Sequence, residues 1–132
     1  MGSTIYSGTQ SATGFRIVGG HKGKGPGPEI MAAGSLEGES VVNATGENLG
    51  KIKEIMLDLT GGSIAYAVLS TGGVMGVGDK LFAIPWSALT LDADHKCFVL
   101  DVSKQRLEHA EGFDKENWPS VADLSWATGD IH

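Results

Sequence analysis

"ESVVNATGENLGKIKEIMLDLTGGSIAYAVLS", residues 39–70, holds two apolar segments separated by Thr60-Gly61-Gly62-Ser63, and the reading of that cluster decides the fold. Its glycines supply the positive φ that a tight hairpin needs, which makes the flanking segments antiparallel neighbours. The first segment, "GKIKEIMLDL", is ambiguous by itself. Leu49, Ile52, Met56 and Leu59 recur at helical spacing, whereas Ile55, Leu57 and Leu59 alternate as in a strand. Its partner resolves the ambiguity, because "SIAYAVLS" is β-branched and aromatic, with Ile64, Tyr66 and Val68 expected on one face.

Downstream, "STGGVMGVGDKLFAIPWSAL", residues 70–89, places four glycines in a stretch of seven before an apolar run closed by Pro85-Trp86. A phosphate loop needs G-x-x-x-x-G-K-[ST] opening a helix. Gly73 to Gly78 has that interval, but Asp79 follows and would aim negative charge at a phosphate, and "KLFAIP" then reads as a strand. The stretch is expected to be a corner between two strands. Val74, Met75 and Val77 at its tip are apolar residues with nothing obvious to cover them, the pattern of a contact surface. Trp86 reads first as barrel packing and joins them as the fourth candidate interaction residue.

"SALTLD" leads into the polar turn Ala93-Asp94-His95-Lys96, "CFVLDV" is a further strand, and "SKQRLEHA" offers Ser103 as the N-cap of a short helix. Many short strands with glycine corners and little helix describe an all-β barrel or sandwich. Residues 1–33 carry "GGHKGKGPGP" and no hydrophobic period, so a flexible Gly/Ser-rich arm is expected. Ile5, Tyr6, Phe15, Ile17 and Val18 leave room there for a short strand or a docking contact. Residues 111–132, with "FDKENWPSVADLSW", are expected to pin themselves to the core through aromatics.

The length, 132 residues, suits one domain. Its first thirty residues lack the apolar core of a secretory signal, and the Met1-Gly2 start has Tyr6 where myristoylation wants Ser or Thr, so a cytoplasmic address is expected. All sixteen acidic residues lie from Glu29 onward, against seven basic ones, a balance of −9 (7 − 16). That field repels phosphate backbones and argues against direct nucleic-acid binding. Cys97 is the single cysteine, which excludes an internal disulfide, and its ordinary role is a small core residue.

"DADHKC", residues 92–97, has the look of a ligand cluster through Asp92, Asp94 and His95. It departs from a Ca²⁺ loop where Lys96 and Cys97 replace the acidic residue and the glycine, so no metal is expected and a polar turn accounts for it. His21, His95, His109 and His132 fall in the arm, a turn, a helix end and the last position. No nucleophile motif surrounds any Ser, Thr or Cys. Neither catalytic residues nor a cofactor site are expected, and the protein is read as a non-enzyme.

"SLEGESVVNATGENLGKIKEIMLDL", "GSIAYAVLSTGG" and "GDKLFAIPWSAL" together resemble the PRC-barrel domain, shared by the cytoplasmic part of the photosynthetic reaction centre H subunit and the C-terminal part of a ribosome maturation factor. The resemblance covers about residues 34–110, and "KCFVLDVSKQRLEHAEGFDKENWP" is similar to the continuation in stand-alone bacterial members. It implies a small six-stranded antiparallel β-barrel with one short C-terminal helix, a first turn at Asn43-Ala44-Thr45-Gly46, and a strand closed by Pro85-Trp86. Glu111 stands where the resemblance leads one to expect proline. It further implies a protein-interaction or assembly module without chemistry of its own; a short strand exposed at the edge of a small barrel favours self-association or a homodimer, and no apolar run approaches the length of a membrane helix, so no span is expected. The alternative is a ribosome- or RNA-processing-associated factor.

Overall fold

The computed structural model describes residues 8–10, 15–20, 29–72 and 79–128. Its strands are β1 (Gly8–Gln10), β2 (Arg16–Val18), β3 (Ser40–Val42), β4 (Asn48–Asp58), β5 (Ser63–Ser70), β6 (Leu81–Ile84), β7 (Leu89–Asp92) and β8 (Cys97–Leu100). Two short helices join them, α1 (Ala33–Leu36) and α2 (Lys104–His109), with 3₁₀ turns at Trp86–Ala88 and Leu124–Thr128. Ser103 caps α2 as its sequence position predicts, its Oγ accepting the Arg106 N–H at 3.1 Å.

The decisive hairpin forms where the sequence places it. β4 and β5 pair antiparallel from Lys51↔Ser70 to Asp58↔Ser63. In the turn, Gly62 adopts φ +69° and its N–H donates to the Asp58 carbonyl at 2.8 Å. The Asp58 carboxylate accepts the Gly61 N–H at 3.0 Å and the Thr60 hydroxyl at 2.9 Å. These bonds, Gly61 foremost, hold the Asp58 carboxyl below its ordinary range.

Strict alternation fails along both strands. Pairing of β4 with β5 is interrupted between Ile52 and Glu54 and again between Met56 and Leu57, and pairing of β3 with β4 shifts between Val41 and Val42. Each extra residue reverses which face the next side chain takes. Leu49, Ile52 and Ile55 therefore all reach the core at a spacing of three, the helix-like period seen in the sequence. Leu57 and Leu59, two of the residues expected to alternate inward, are exposed. The expected face of Ile64, Tyr66 and Val68 is likewise corrected. Ile64 packs on the main core, while Tyr66 and Val68 lie in a second cluster with Ala65 packed against it.

The expectation of a closed six-stranded antiparallel barrel is also corrected. The sheet is open and mixed, with the order β1-β2-β7-β8-β3-β4-β5-β6. β2 runs parallel to β7 and β3 parallel to β8, while the other pairs are antiparallel. The six strands of the expected barrel are present as β3 to β8, but β6 and β7 are linked through Pro85 and the 3₁₀ turn rather than by a ladder. Proline has no N–H to donate and ends the pairing there. All six strands nevertheless send side chains into one apolar cluster, which includes Val41, Ile52, Leu69, Ile84, Leu91 and Phe98 and is closed by Leu107 of α2 and by Trp126.

The stretch expected as a flexible arm contributes β1 and β2; β2 contains Ile17 and Val18, two of the residues that leave room for a strand, whereas β1 lies apart from them. Residues 1–7, 11–14 and 21–28 of that stretch lie outside the described residues. Beyond α2 the chain turns back over the sheet. Phe113 bridges to Leu81, and Trp126 sits edge-on to Phe82 with ring centroids 5.3 Å apart. The sheet's β6 end is thus lined by the tail, residues 111–128.

Candidate functional site

A cleft of about 720 Å³ opens between the arm, the β4–β5 hairpin and the tail. Its floor is aromatic. Phe15, buried, stacks on Trp86 at 4.3 Å with ring planes 12° apart, and Trp86 meets Phe98 edge-on at 5.9 Å. Such stacking contributes about 1 kcal/mol beyond area burial and fixes the Trp86 ring. Ile17 of β2, Leu36 of α1, Ile64 of β5 and Leu124 of the tail also line it.

The rim is also apolar. Met31 and Leu124 line the cleft while remaining 43% and 69% exposed, and Ile30, next to Met31, and Val121, next to the lining residue Ala122, are exposed as well. Apolar side chains left in water around a concave apolar floor mark a surface built to be covered. The described lining offers one carboxylate, Glu29, and the hydroxyls of Ser63 and Ser87, with no His, Lys, Arg or Cys. The lining is predominantly apolar.

Of the four interaction residues expected from sequence, Trp86 lies in this cleft, while Val74, Met75 and Val77 fall outside the described residues. The ends of their loop are described. Thr71 N–H donates to the Lys80 carbonyl at 3.1 Å, and the loop joins the antiparallel neighbours β5 and β6. A strand, not a helix, follows it, which leaves no helix N-terminus for a phosphate. Lys80 Nζ donates to the carbonyls of Glu108 at 2.7 Å and Ala110 at 3.0 Å, so this ammonium completes the C-terminus of α2.

The "DADHKC" turn separates its acidic groups. Asp92 accepts the His95 N–H at 3.1 Å and lies 2.7 Å from His95 Nδ1, whereas Asp94 accepts the Gly20 N–H at 2.8 Å and so latches the arm beside β7. No three His, Cys, Asp or Glu side chains group to hold a metal ion among the described residues. Burial raises the Cys97 thiol, and the nearby Asp92 and Glu39 carboxylates add to the rise, so the thiol stays protonated at neutral pH.

Burial alone would raise Asp92, but its hydrogen bonds and charge interaction with His95 outweigh that and hold the carboxyl below its ordinary value. A carboxyl depressed in the folded state adds stability above its unfolded pKa and loses it as pH falls through the folded one. Asp92→Asn should therefore cost at most about 1 kcal/mol at pH 7, His95 being largely exposed. The difference between variant and wild type should begin to shrink as pH drops below about 4 and vanish only below the lowered folded-state value. Thermal melts across pH 3–7 check this, and a gap that does not shrink in acid would show that the pair is not its cause.

Residues 28–107, more than half of the chain, match the PRC-barrel domain family. The chain belongs to the PRC-barrel family. No curated protein matches it. The PRC-barrel match has a bearing on the cleft, since Phe15 and Ile17 precede it and Ala122 and Leu124 follow it. The cleft is thus a composite, in which the PRC barrel supplies Trp86, Leu36, Ile64 and Leu91 and the flanking segments supply the other walls. No helix among the described residues is long and apolar enough to cross a membrane.

Sequence reasoning singled out Phe15 and Trp86 but missed Met31, Ile64, Ala122 and Leu124. Single exposed apolar residues carry no signal of their own in a sequence. They become a site only when the fold gathers them.

Proposed function

We propose that this PRC-barrel protein is a non-enzymatic protein-interaction or assembly module that associates with itself or with a protein partner and uses no cofactor. The observation that carries the reading is the composite cleft, with its fixed Phe15–Trp86 floor and its uncovered rim of Met31 and Leu124. Interfaces of this make-up seat an aromatic or aliphatic anchor in a desolvated centre. The lining has no general base paired with a nucleophile, so binding rather than turnover is the chemistry it supports. The balance of −9 from Glu29 onward favours a protein over a nucleic-acid partner.

The test is capture from native cell extract at low salt with wild type and Leu124→Asp. Leu124 is 69% exposed, so the substitution should leave the melting temperature nearly unchanged, within about 0.5 kcal/mol of stability. It should reduce bound protein at least about tenfold, the consequence of losing roughly 1.4 kcal/mol at an apolar contact. Equal recovery with both chains, or RNA as the retained component, would count against the reading.

A further inference from the structure

β5 is buried on both faces along Tyr66–Ser70. Ala67 and Leu69 face the core, while Tyr66 and Val68 join Leu81 and Ala83 of β6 in a second apolar cluster outside it. The outer side of a sheet is usually polar. Here it is apolar, and it adjoins β6, the last strand in the sheet order, whose outer backbone groups face no further strand. An apolar face beside an open edge is a surface that accepts an added extended segment.

In the structure the tail occupies it. Phe113 N–H donates to the Leu81 carbonyl at 2.7 Å and Asp123 N–H to the Ala83 carbonyl at 2.9 Å. The Tyr66 hydroxyl donates to the Pro119 carbonyl at 2.8 Å, and Phe113 and Ala122 pack on the outer cluster. Farther along, Trp126 is buried with the Arg106 guanidinium 4.5 Å above its ring, and Arg106 Nη2 donates to the Ser125 carbonyl at 2.6 Å. The anchors are far apart. Between them Asp114 to Trp118 bulges into solvent and is folded on itself, Asp114 accepting the Glu116 and Asn117 N–H groups and Trp118 Nε1 donating to the Lys115 carbonyl.

The first anchor is selective. A Cβ at Gly112 would stand 2.6 Å from the Leu81 carbonyl oxygen and 2.7 Å from the Leu81 nitrogen, closer than real contacts allow. A tail with alanine there cannot seat without shifting β6 or itself.

We propose that the outer face of β5 and β6 is a segment-docking site, and that residues 111–128 of a second copy of this chain occupy it in exchange for the chain's own tail. The tail's contacts run to β5, β6, α2 and the 3₁₀ turn at Trp86–Ala88, and a tail arriving from a second copy makes the same contacts with the same chemistry. Exchange between two copies is self-complementary and closes at a dimer. In dilute solution the tethered tail holds the site at an effective concentration of about a millimolar, and the exchanged form gains as protein concentration rises. This inference rests on the self-association proposed above and supplies a route for it.

The test titrates a fluorescent peptide of residues 111–128 into the full wild-type chain and the full Gly112→Ala chain, read by anisotropy. The Gly112→Ala chain, whose own tail seats poorly, should bind the wild-type peptide at least tenfold more tightly than the wild-type chain does. A peptide carrying Gly112→Ala should bind it at least tenfold more weakly. Equal binding by both chains, or none by either, overturns the docking site. If Gly112→Ala does not fold, hydrogen exchange on the wild type decides. Phe113 and Asp123 amides should be at least a hundredfold less protected than those of Ala67 and Leu69, and equal protection overturns the proposal. Sedimentation of the wild-type chain should show a dimer that dissociates in excess peptide. A dimer insensitive to the peptide leaves self-association standing and overturns the tail as its route.

Discussion

Gly50→Ala is expected to remove about 4 kcal/mol of stability, a large share of the margin of a small domain. Gly50 sits at φ +142°, where an L side chain is strained by about 1–3 kcal/mol. A Cβ there would also collide with the Ser70 carbonyl oxygen and approach the Ser70 carbonyl carbon and Thr71 Cα to 3.0 Å. Those atoms are backbone, and moving them breaks the Lys51↔Ser70 pairing from which the β4–β5 ladder starts. The two costs fall on the same strand pair and add. Urea unfolding should show the midpoint lowered by that loss divided by the slope, with the slope unchanged if the denatured state is unaffected. A loss under about 1 kcal/mol would mean the strands separate at this point without resistance.

Asn43→Ala should cost about 3 kcal/mol, the next largest effect. Asn43 is 6% exposed, and its carboxamide ties the β3–β4 turn together. Oδ1 accepts the Thr45 N–H at 3.2 Å, the Thr45 hydroxyl at 2.8 Å and the Glu47 N–H at 2.9 Å. Nδ2 donates to Glu47 Oε1 at 2.8 Å and to the Val102 carbonyl at 3.2 Å, joining that turn to the segment after β8. Truncation strands the buried Val102 carbonyl, at about 1–3 kcal/mol, and removes the part-buried bonds to Thr45 and Glu47 at the same time. Asn43→Asp separates the donor from the acceptor role. It keeps the acceptors but sets a carboxylate against that of Glu47, so it too should destabilise at pH 7. Glu47→Gln in that background should restore part of the loss. Thermal melts of the single and double variants measure the coupling, and no restoration would assign the Asn43→Asp cost to the lost bond to Val102.

These two residues show how unevenly the fold can be read from sequence. The hairpin at Thr60–Ser63 and the Ser103 cap were legible because each depends on residues within four positions of one another. The cleft was only partly legible. Phe15 and Trp86 stand out as aromatics, but nothing local to either says that they stack, and the residues that complete the walls come from positions as far apart as Met31 and Leu124. Asn43 lay in the predicted first turn, yet its partner Val102 is fifty-nine residues away.

By itself the sequence determined the strand-rich class, the β4–β5 hairpin, the corner before β6, the cap of α2 and the acidic field of the folded part. All of these follow from local backbone preference or from composition, which act before any tertiary contact exists. Tertiary structure alone decided that the sheet is open and mixed, that the arm joins it through β2, and that the tail lies against β6. It also decided that Leu57 faces water while Ile52 and Ile55 both face the core. Those outcomes depend on bulges, which insert single residues into a ladder and reverse the facing of all that follows, and on pairings between distant segments. Bulge positions and distant pairings are settled by packing against the whole core, and no short stretch of sequence carries that information.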